Sequence, residues 1–142
     1  MFGENWGLRK AARMKGWVYV ISNKAMVGLV KIGFSRKDPE LRADDLRRHT
    51  GIPHPYVVEY ELYIEEPYKL EQQVHKLMSA KREGGEWFRC SPEKAVSVIK
   101  QCAGDRIIAE NYKRVEREKA EALYRQQQAE ERAAREQTEK QK

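Results

Sequence analysis

The sequence is poor in cysteine and histidine: Cys90, Cys102, His49, His54 and His75 are all it has in 142 residues. None of them stands in the closely spaced thiolate or imidazole pairs that a zinc module requires, which argues against a structural zinc site. Long apolar runs are missing as well. No stretch is long and apolar enough to cross a bilayer, and residues 1–15 lack the hydrophobic segment of a secretion signal, so a cytoplasmic, reduced protein is expected. Large apolar residues also thin out after Gly104, which places the one expected core within roughly residues 15–104.

What is abundant is charge. Lys and Arg number 28 against 22 Asp and Glu, a formal net charge of +6, with an isoelectric point near 9.3. An acidic partner fits this balance, nucleic acid foremost. The excess is uneven: residues 1–104 hold eighteen basic against thirteen acidic side chains, whereas residues 105–142 hold ten against nine. The near-neutral tail therefore does not read as a dedicated DNA-binding segment. Residues 1–15, with Arg9, Lys10, Arg13 and Lys15, read as a basic arm, solvated in the plain reading and a DNA clamp in the alternative.

Two runs, 16–21 and 28–33, alternate as half-buried strands do, with Trp17, Tyr19 and Ile21 on one side and Val18, Val20 and Ser22 on the other. They read as a hairpin whose loop, 23–27, is longer than a tight turn. In the second run Leu29, Lys31 and Gly33 share a face, so a lysine stands where an apolar group is usual. Asp38-Pro39 then signals a helix start and Gly51 its exit, giving a helix over about 39–49. With Leu41 at 0° and Leu46 near 140° on a helical projection, Arg42 falls near 100° and His49 near 80°, between the two leucines. An arginine on an apolar side needs a partner or a cleft, because an unpaired buried charge costs several kcal/mol. A salt bridge to Asp45 or to Glu71 is the plain reading.

Residues 56–64 are rich in β-formers and read as a third strand joining the hairpin. Glu66-Pro67 opens a second helix with Leu70, Val74, Leu77 and Met78 as its stripe. Glu71 projects roughly 75° from the centre of that stripe and His75 about 40° further round, one turn along the same edge. The stretch 84–89 resembles a turn and a short strand in which Trp87 and Phe88 close the core, with stacking on a base as the alternative for an aromatic beside Arg89. Ser91-Pro92 starts a third helix, with Ala95, Val96, Val98, Ile99 and Cys102 as its buried side and Gly104 as its stop. From 105 to 142, i,i+4 pairs such as Glu110 with Arg114, Glu121 with Arg125 and Glu131 with Arg135 predict a long solvated helix. Ile108, Tyr112, Val115 and Leu123 could begin a weak homodimer seam within 105–125, although no heptad repeat continues it. The expected fold class is α+β: a small antiparallel sheet of three to four strands flanked by helices, with a long C-terminal helix.

The order of these parts resembles the GIY-YIG endonuclease superfamily over about residues 16–100. Tyr19 resembles the tyrosine of the first triplet and Lys31-Ile32-Gly33 falls where Tyr-Ile-Gly is expected. Ser35, the helix arginine Arg42, the glutamate Glu71 with His75 four residues on, and a closing Glu86-Trp87-Phe88 follow in order. The Lys-Ile-Gly form looks most like the phage and prophage branch. Two departures stand out: the first triplet reads Trp17-Val18-Tyr19, and Lys31 replaces a tyrosine.

The resemblance implies hydrolysis of DNA phosphodiester bonds with one divalent ion, Mg²⁺ or Mn²⁺, held by Glu71. It implies that Arg42 pairs with the scissile phosphate and that Tyr19 orients or deprotonates water. Lys31 would assist by lowering the phenol pKa or by contacting the phosphate, or act as runner-up base, and His75 would support the metal-binding Glu71 from behind or relay a proton. Nucleic-acid contacts are then expected from Ser35, Arg36 and Lys37 after the second strand and from Arg47, Arg48 and His49 at the end of the first helix. Lys76, Trp87 and Arg89 complete that set. A DNA-binding module without catalysis and a scaffold that recruits a partner through its long helix are the alternatives.

Overall fold

Alternation in the first two runs becomes a hairpin. β1 (Lys15–Ser22) pairs antiparallel with β2 (Leu29–Ser35), which sets Trp17 opposite Ser35, Tyr19 opposite Gly33 and Ile21 opposite Lys31. Asn23 closes the loop between them: its buried amide oxygen accepts from the Ala25 N–H at 2.9 Å and its NH₂ donates to the His54 carbonyl at 3.0 Å. The computed structural model describes residues 14–141, so the basic arm read over 1–15 lies, as far as residue 13, outside the described residues.

β3 (Val57–Glu65) pairs with the other side of β1, in a ladder that shifts register between Val20 and Ile21. β4 (Arg82–Gly84), β5 (Trp87–Arg89) and β6 (Ala109–Asn111) complete a six-stranded antiparallel sheet in the order β4-β5-β2-β1-β3-β6. This is wider than the three to four strands expected. The additional strands, β4 and β6, have three residues each, too few for a period of two to register in sequence.

The alternation sorts residues onto two cores. Val18, Val20, Val30, Ile32, Leu62, Ile64 and Phe88 face α2 (Pro67–Leu77) and α3 (Pro92–Ala103). Tyr19, Ile21 and Val58 face α1 (Pro39–Thr50), which contributes Ala43. α1 starts where the sequence indicated: the Asp38 carboxylate accepts from the Glu40 N–H at 3.0 Å, and Gly51 leaves the helix at φ 66°. Its buried side differs from expectation. Leu41 is 54% exposed, while Pro39, Ala43 and Leu46 form the packed side. On the projection used above these three fall at roughly 160°, 200° and 140°, so Arg42 borders the buried stripe instead of lying within it. Arg42 and His49 are exposed. In α2 Leu70, Val74 and Met78 are buried as expected, but Leu77 is 63% exposed.

The chain after α3 departs from the long helix predicted from residue 105. A short 3₁₀ turn (Gly104–Arg106) leads into β6, which pairs with β3. Glu110, read as a helical partner of Arg114, instead accepts the Tyr60 hydroxyl at 2.5 Å. Tyr112, read as part of a dimer seam, packs edge-on against Tyr60 with ring centroids 5.0 Å apart and accepts from Lys100 Nζ at 2.7 Å. The compact unit therefore ends at Tyr112, and a second unit follows from Lys113. That second unit is the helix α4 (Lys113–Lys140), 28 residues with no buried side chain, bearing i,i+4 contacts such as Arg114 to Glu118 at 3.6 Å. Among the described residues no helix is long and apolar enough to cross a membrane.

Candidate functional site

The site forms where a strand stops short. β5 pairs with β2 over Leu29–Lys31, and the main-chain bond from Ile32 N–H to the Glu86 carbonyl, at 3.0 Å, continues the edge by one residue. Past that point two side chains of α2 replace the missing strand. His75 Nε2 lies 2.7 Å from the Ile32 carbonyl, and Glu71 accepts from the Phe34 N–H. A carbonyl only accepts, so Nε2 carries the hydrogen, and Nδ1 faces Glu71 Oε1 at 3.6 Å. The imidazole is held from the other side by Phe88, ring centroids 4.8 Å apart.

Glu71, projected from sequence to a helix flank, is therefore buried, 7% exposed, and its Oε2 has no hydrogen-bond partner. Burial first, and the nearby Glu86 carboxylate second, push its pKa up to about 7, against the opposing pull of Lys31 and the Phe34 amide. Lys31 lies 3.5 Å from Glu86 and so answers the question its position raised: the turn between β4 and β5 supplies its counter-ion.

Tyr19 reaches the same place from the other face of the sheet. Its ring lies over Gly33, where an added Cβ would stand 2.6 Å from Cζ, so only glycine lets the phenol cross β2. Arg42 hydrogen-bonds the phenol from α1. Burial and Glu86 nevertheless raise the Tyr19 pKa to about 12, with Arg42 opposing and Glu71 adding to the rise. The expectation that Lys31 lowers this pKa is not met, because its ammonium is engaged by Glu86 and acts on Glu71.

The structure thus brings together Tyr19, Lys31, Arg42, Glu71 and His75, and adds Glu86, which the sequence reading named in the closing Glu86-Trp87-Phe88 but gave no role. The predicted nucleic-acid contacts are more dispersed. Ser35 ends β2, with its Oγ accepting from the Lys37 N–H at 3.0 Å, and Arg36 and Lys37 are exposed beyond it. Arg47, Arg48 and His49 are exposed on the last turn of α1, and Lys76 on α2. Arg89 donates to Glu83 at 2.6 Å, which offsets its charge. Trp87 is half-buried, its ring 6.2 Å from that of Tyr56 and packed on the α1-side core, in keeping with core closure and not with an exposed stacking surface.

Among the described residues no cluster of three or more His, Cys, Asp or Glu is suited to hold a metal ion. Glu71 and Glu86 still fit a hard cation that keeps most of its water and takes the rest of its oxygens from phosphate, since Mg²⁺ is commonly bound by one or two carboxylates. The unpartnered Glu71 Oε2 is the donor such an ion would use.

The family model of the T5orf172 domain matches residues 16–103. The chain belongs to the T5orf172 domain family. No curated protein and no solved structure matches it. The matched span takes in β1 to α3 and so every residue of the site, but leaves β6 and α4 outside. This finding overturns the GIY-YIG assignment, because the T5orf172 domain is a different family. The assignment rested on the order of several short motifs, the two triplets with Tyr19 and Lys31, then Ser35, Arg42, Glu71 with His75, and Glu86-Trp87-Phe88, and both triplets depart from the pattern. Any role for Tyr19, Arg42 and Glu71 in this T5orf172 domain therefore has to be argued from their geometry and not from that kinship.

Proposed function

We propose that the β2-edge site hydrolyses phosphodiester bonds in DNA. The observation that carries this reading is Glu71. A carboxylate buried with one oxygen unpartnered, beside a second carboxylate and with its pKa at about 7, costs stability that a purely structural position would shed by substitution. Membership of the T5orf172 family and the net charge of +6 support a DNA-related role.

Each side chain then has a task. Arg42 is exposed yet anchored on the Tyr19 phenol, so its guanidinium can take a phosphate in forked geometry and offset charge that grows in the transition state. With a pKa of about 12, Tyr19 is a neutral phenol at neutral pH: it accepts from Arg42 and keeps its own hydrogen to orient the attacking water. Glu71 and Glu86 would hold Mg²⁺ or Mn²⁺, which when bound polarises a phosphate oxygen and stabilises the leaving 3′ oxygen. His75 borders the Glu71 carboxylate, with Nδ1 3.6 Å from Oε1, and Lys31 pairs with Glu86 at 3.5 Å.

The test is direct. The protein is incubated with plasmid, single-stranded DNA and RNA, with and without Mg²⁺ or Mn²⁺. Metal-dependent nicking or cleavage of DNA is expected, lost in Glu71→Ala and in Arg42→Ala. Wild-type protein indistinguishable from Glu71→Ala on all three substrates overturns the reading. Salt-sensitive binding without cleavage would instead mark a DNA-binding module.

A further inference from the structure

On the face of β2 toward α2, Val30 and Ile32 are completely buried, but Phe34, next in the same alternation, is 40% exposed. The reason is the one that forms the site: β5 ends before reaching it. The ring of Phe34 lies against Tyr68 of α2, centroids 6.5 Å apart and planes inclined at 59°. Both aromatics are tied to Glu71. The Phe34 amide donates to its carboxylate, and Tyr68 precedes it by three residues, one turn along α2. Directly after Phe34, the Ser35 turn presents Arg36 and Lys37 to solvent.

An exposed aromatic whose own backbone amide meets the Glu71 carboxylate, and which is followed by two exposed cations, combines the elements that hold single strands: a π-face for a base and positive charge for the backbone. A base inside a duplex has both faces covered by its neighbours and cannot use such a ring. We infer that Phe34, backed by Tyr68, is a stacking platform for one unpaired base beside the scissile phosphate. The substrate class of the site is accordingly a strand with an unstacked base at that point, a single strand or a flap in preference to continuous duplex. This inference rests on the hydrolytic reading above for the position of the phosphate.

The experiment uses the full chain carrying Glu71→Gln, so that binding is read without cleavage. Its probes are a single-stranded oligonucleotide containing 2-aminopurine, the same strand in a duplex, and a duplex with that strand as a flap. Quenching and tighter binding are expected for the single strand and the flap. Adding Phe34→Ala should weaken both by about tenfold or more while leaving duplex affinity unchanged, and Phe34→Tyr, which keeps the π-face, should bind like the parent. Equal affinity for all three probes, or a Phe34→Ala loss that is absent or the same on duplex, overturns the platform. Cleavage by the chain with Glu71 intact separates the two readings. Cleavage unaffected by Phe34→Ala overturns the platform and leaves hydrolysis standing, whereas stacking without cleavage overturns hydrolysis and with it the placement beside a scissile phosphate, and leaves Phe34 as a base-stacking contact of a binding module.

Discussion

The phenol of Tyr19 lies across the α-carbon of Gly33, its partner on the neighbouring strand; a Cβ at that position would stand 2.9 Å from Tyr19 Cε1 and 2.6 Å from Cζ. Gly33 has no positive φ, so what demands glycine is this close approach and not backbone conformation. Gly33→Ala is expected to displace the Tyr19 ring, costing about 1–3 kcal/mol from overpacking and abolishing cleavage. Denaturant unfolding checks the first and the plasmid assay the second. In Tyr19→Ala the same glycine substitution should cost little, so a double-mutant cycle gives a large coupling energy.

Glu71→Gln should remove activity yet stabilise the fold at neutral pH. The folded-state pKa of about 7 lies above the ordinary value of 4.5, so between these values the native state holds the extra proton. Stability from this residue is full below the unfolded pKa and is lost as pH rises through about 7. Glutamine escapes that loss. Its advantage is expected to be about 1–3 kcal/mol above pH 7 and to vanish near pH 4, as measured by urea unfolding across pH.

Glu86→Gln is expected to lower the pKa of both Tyr19 and Glu71, because the Glu86 carboxylate raises each of them. Carbon-detected NMR titration of the Glu71 carboxyl reads this shift. A Glu71 titration unchanged by the substitution would show that burial alone sets its value.

Arg42→Ala should reduce cleavage by about a hundredfold or more, since it removes the guanidinium that hydrogen-bonds the Tyr19 phenol. Arg42 is exposed, so thermal unfolding should change little. The Tyr19 pKa should rise further, which ultraviolet titration can follow.

A chain ending after Tyr112 is expected to keep the stability of the compact unit, whereas one ending after Gly104 should lose about 2–4 kcal/mol. The difference is the β6 ladder, the Tyr60 to Glu110 hydrogen bond and the Tyr112 ring. Calorimetry of the two truncations decides it.

Local signals carried a good part of this fold. Asp38-Pro39, Ser91-Pro92 and Gly51 mark helix ends because capping and proline geometry act within a few residues, and those ends stand where the signals lie. The hairpin was legible because two-residue alternation persists along its strands, and β3 because its nine residues are rich in β-formers. The three-residue strands β4 and β6 were not. Residues 105–112 resembled a charged helix because what holds them, Tyr60 and Lys100, is distant in sequence.

The site divides in the same way. Period and spacing singled out Lys31, Arg42 and the pair Glu71 and His75, since a lysine on a strand face, an arginine near an apolar stripe and a Glu-His pair one helical turn apart are readable in that way, whereas Tyr19 entered only through the resemblance to the GIY-YIG superfamily that the family match overturns. Only the tertiary structure decided that β5 stops short of Phe34, that α2 closes the bare edge of β2 with Glu71 and His75, and that Glu86 joins them as counter-ion to Lys31. The burial that lifts Glu71 to about 7 and Tyr19 to about 12 was decided there too. Spacing along one chain reports which face a residue takes, but a pKa answers to every group packed around it, and those groups come from four different elements.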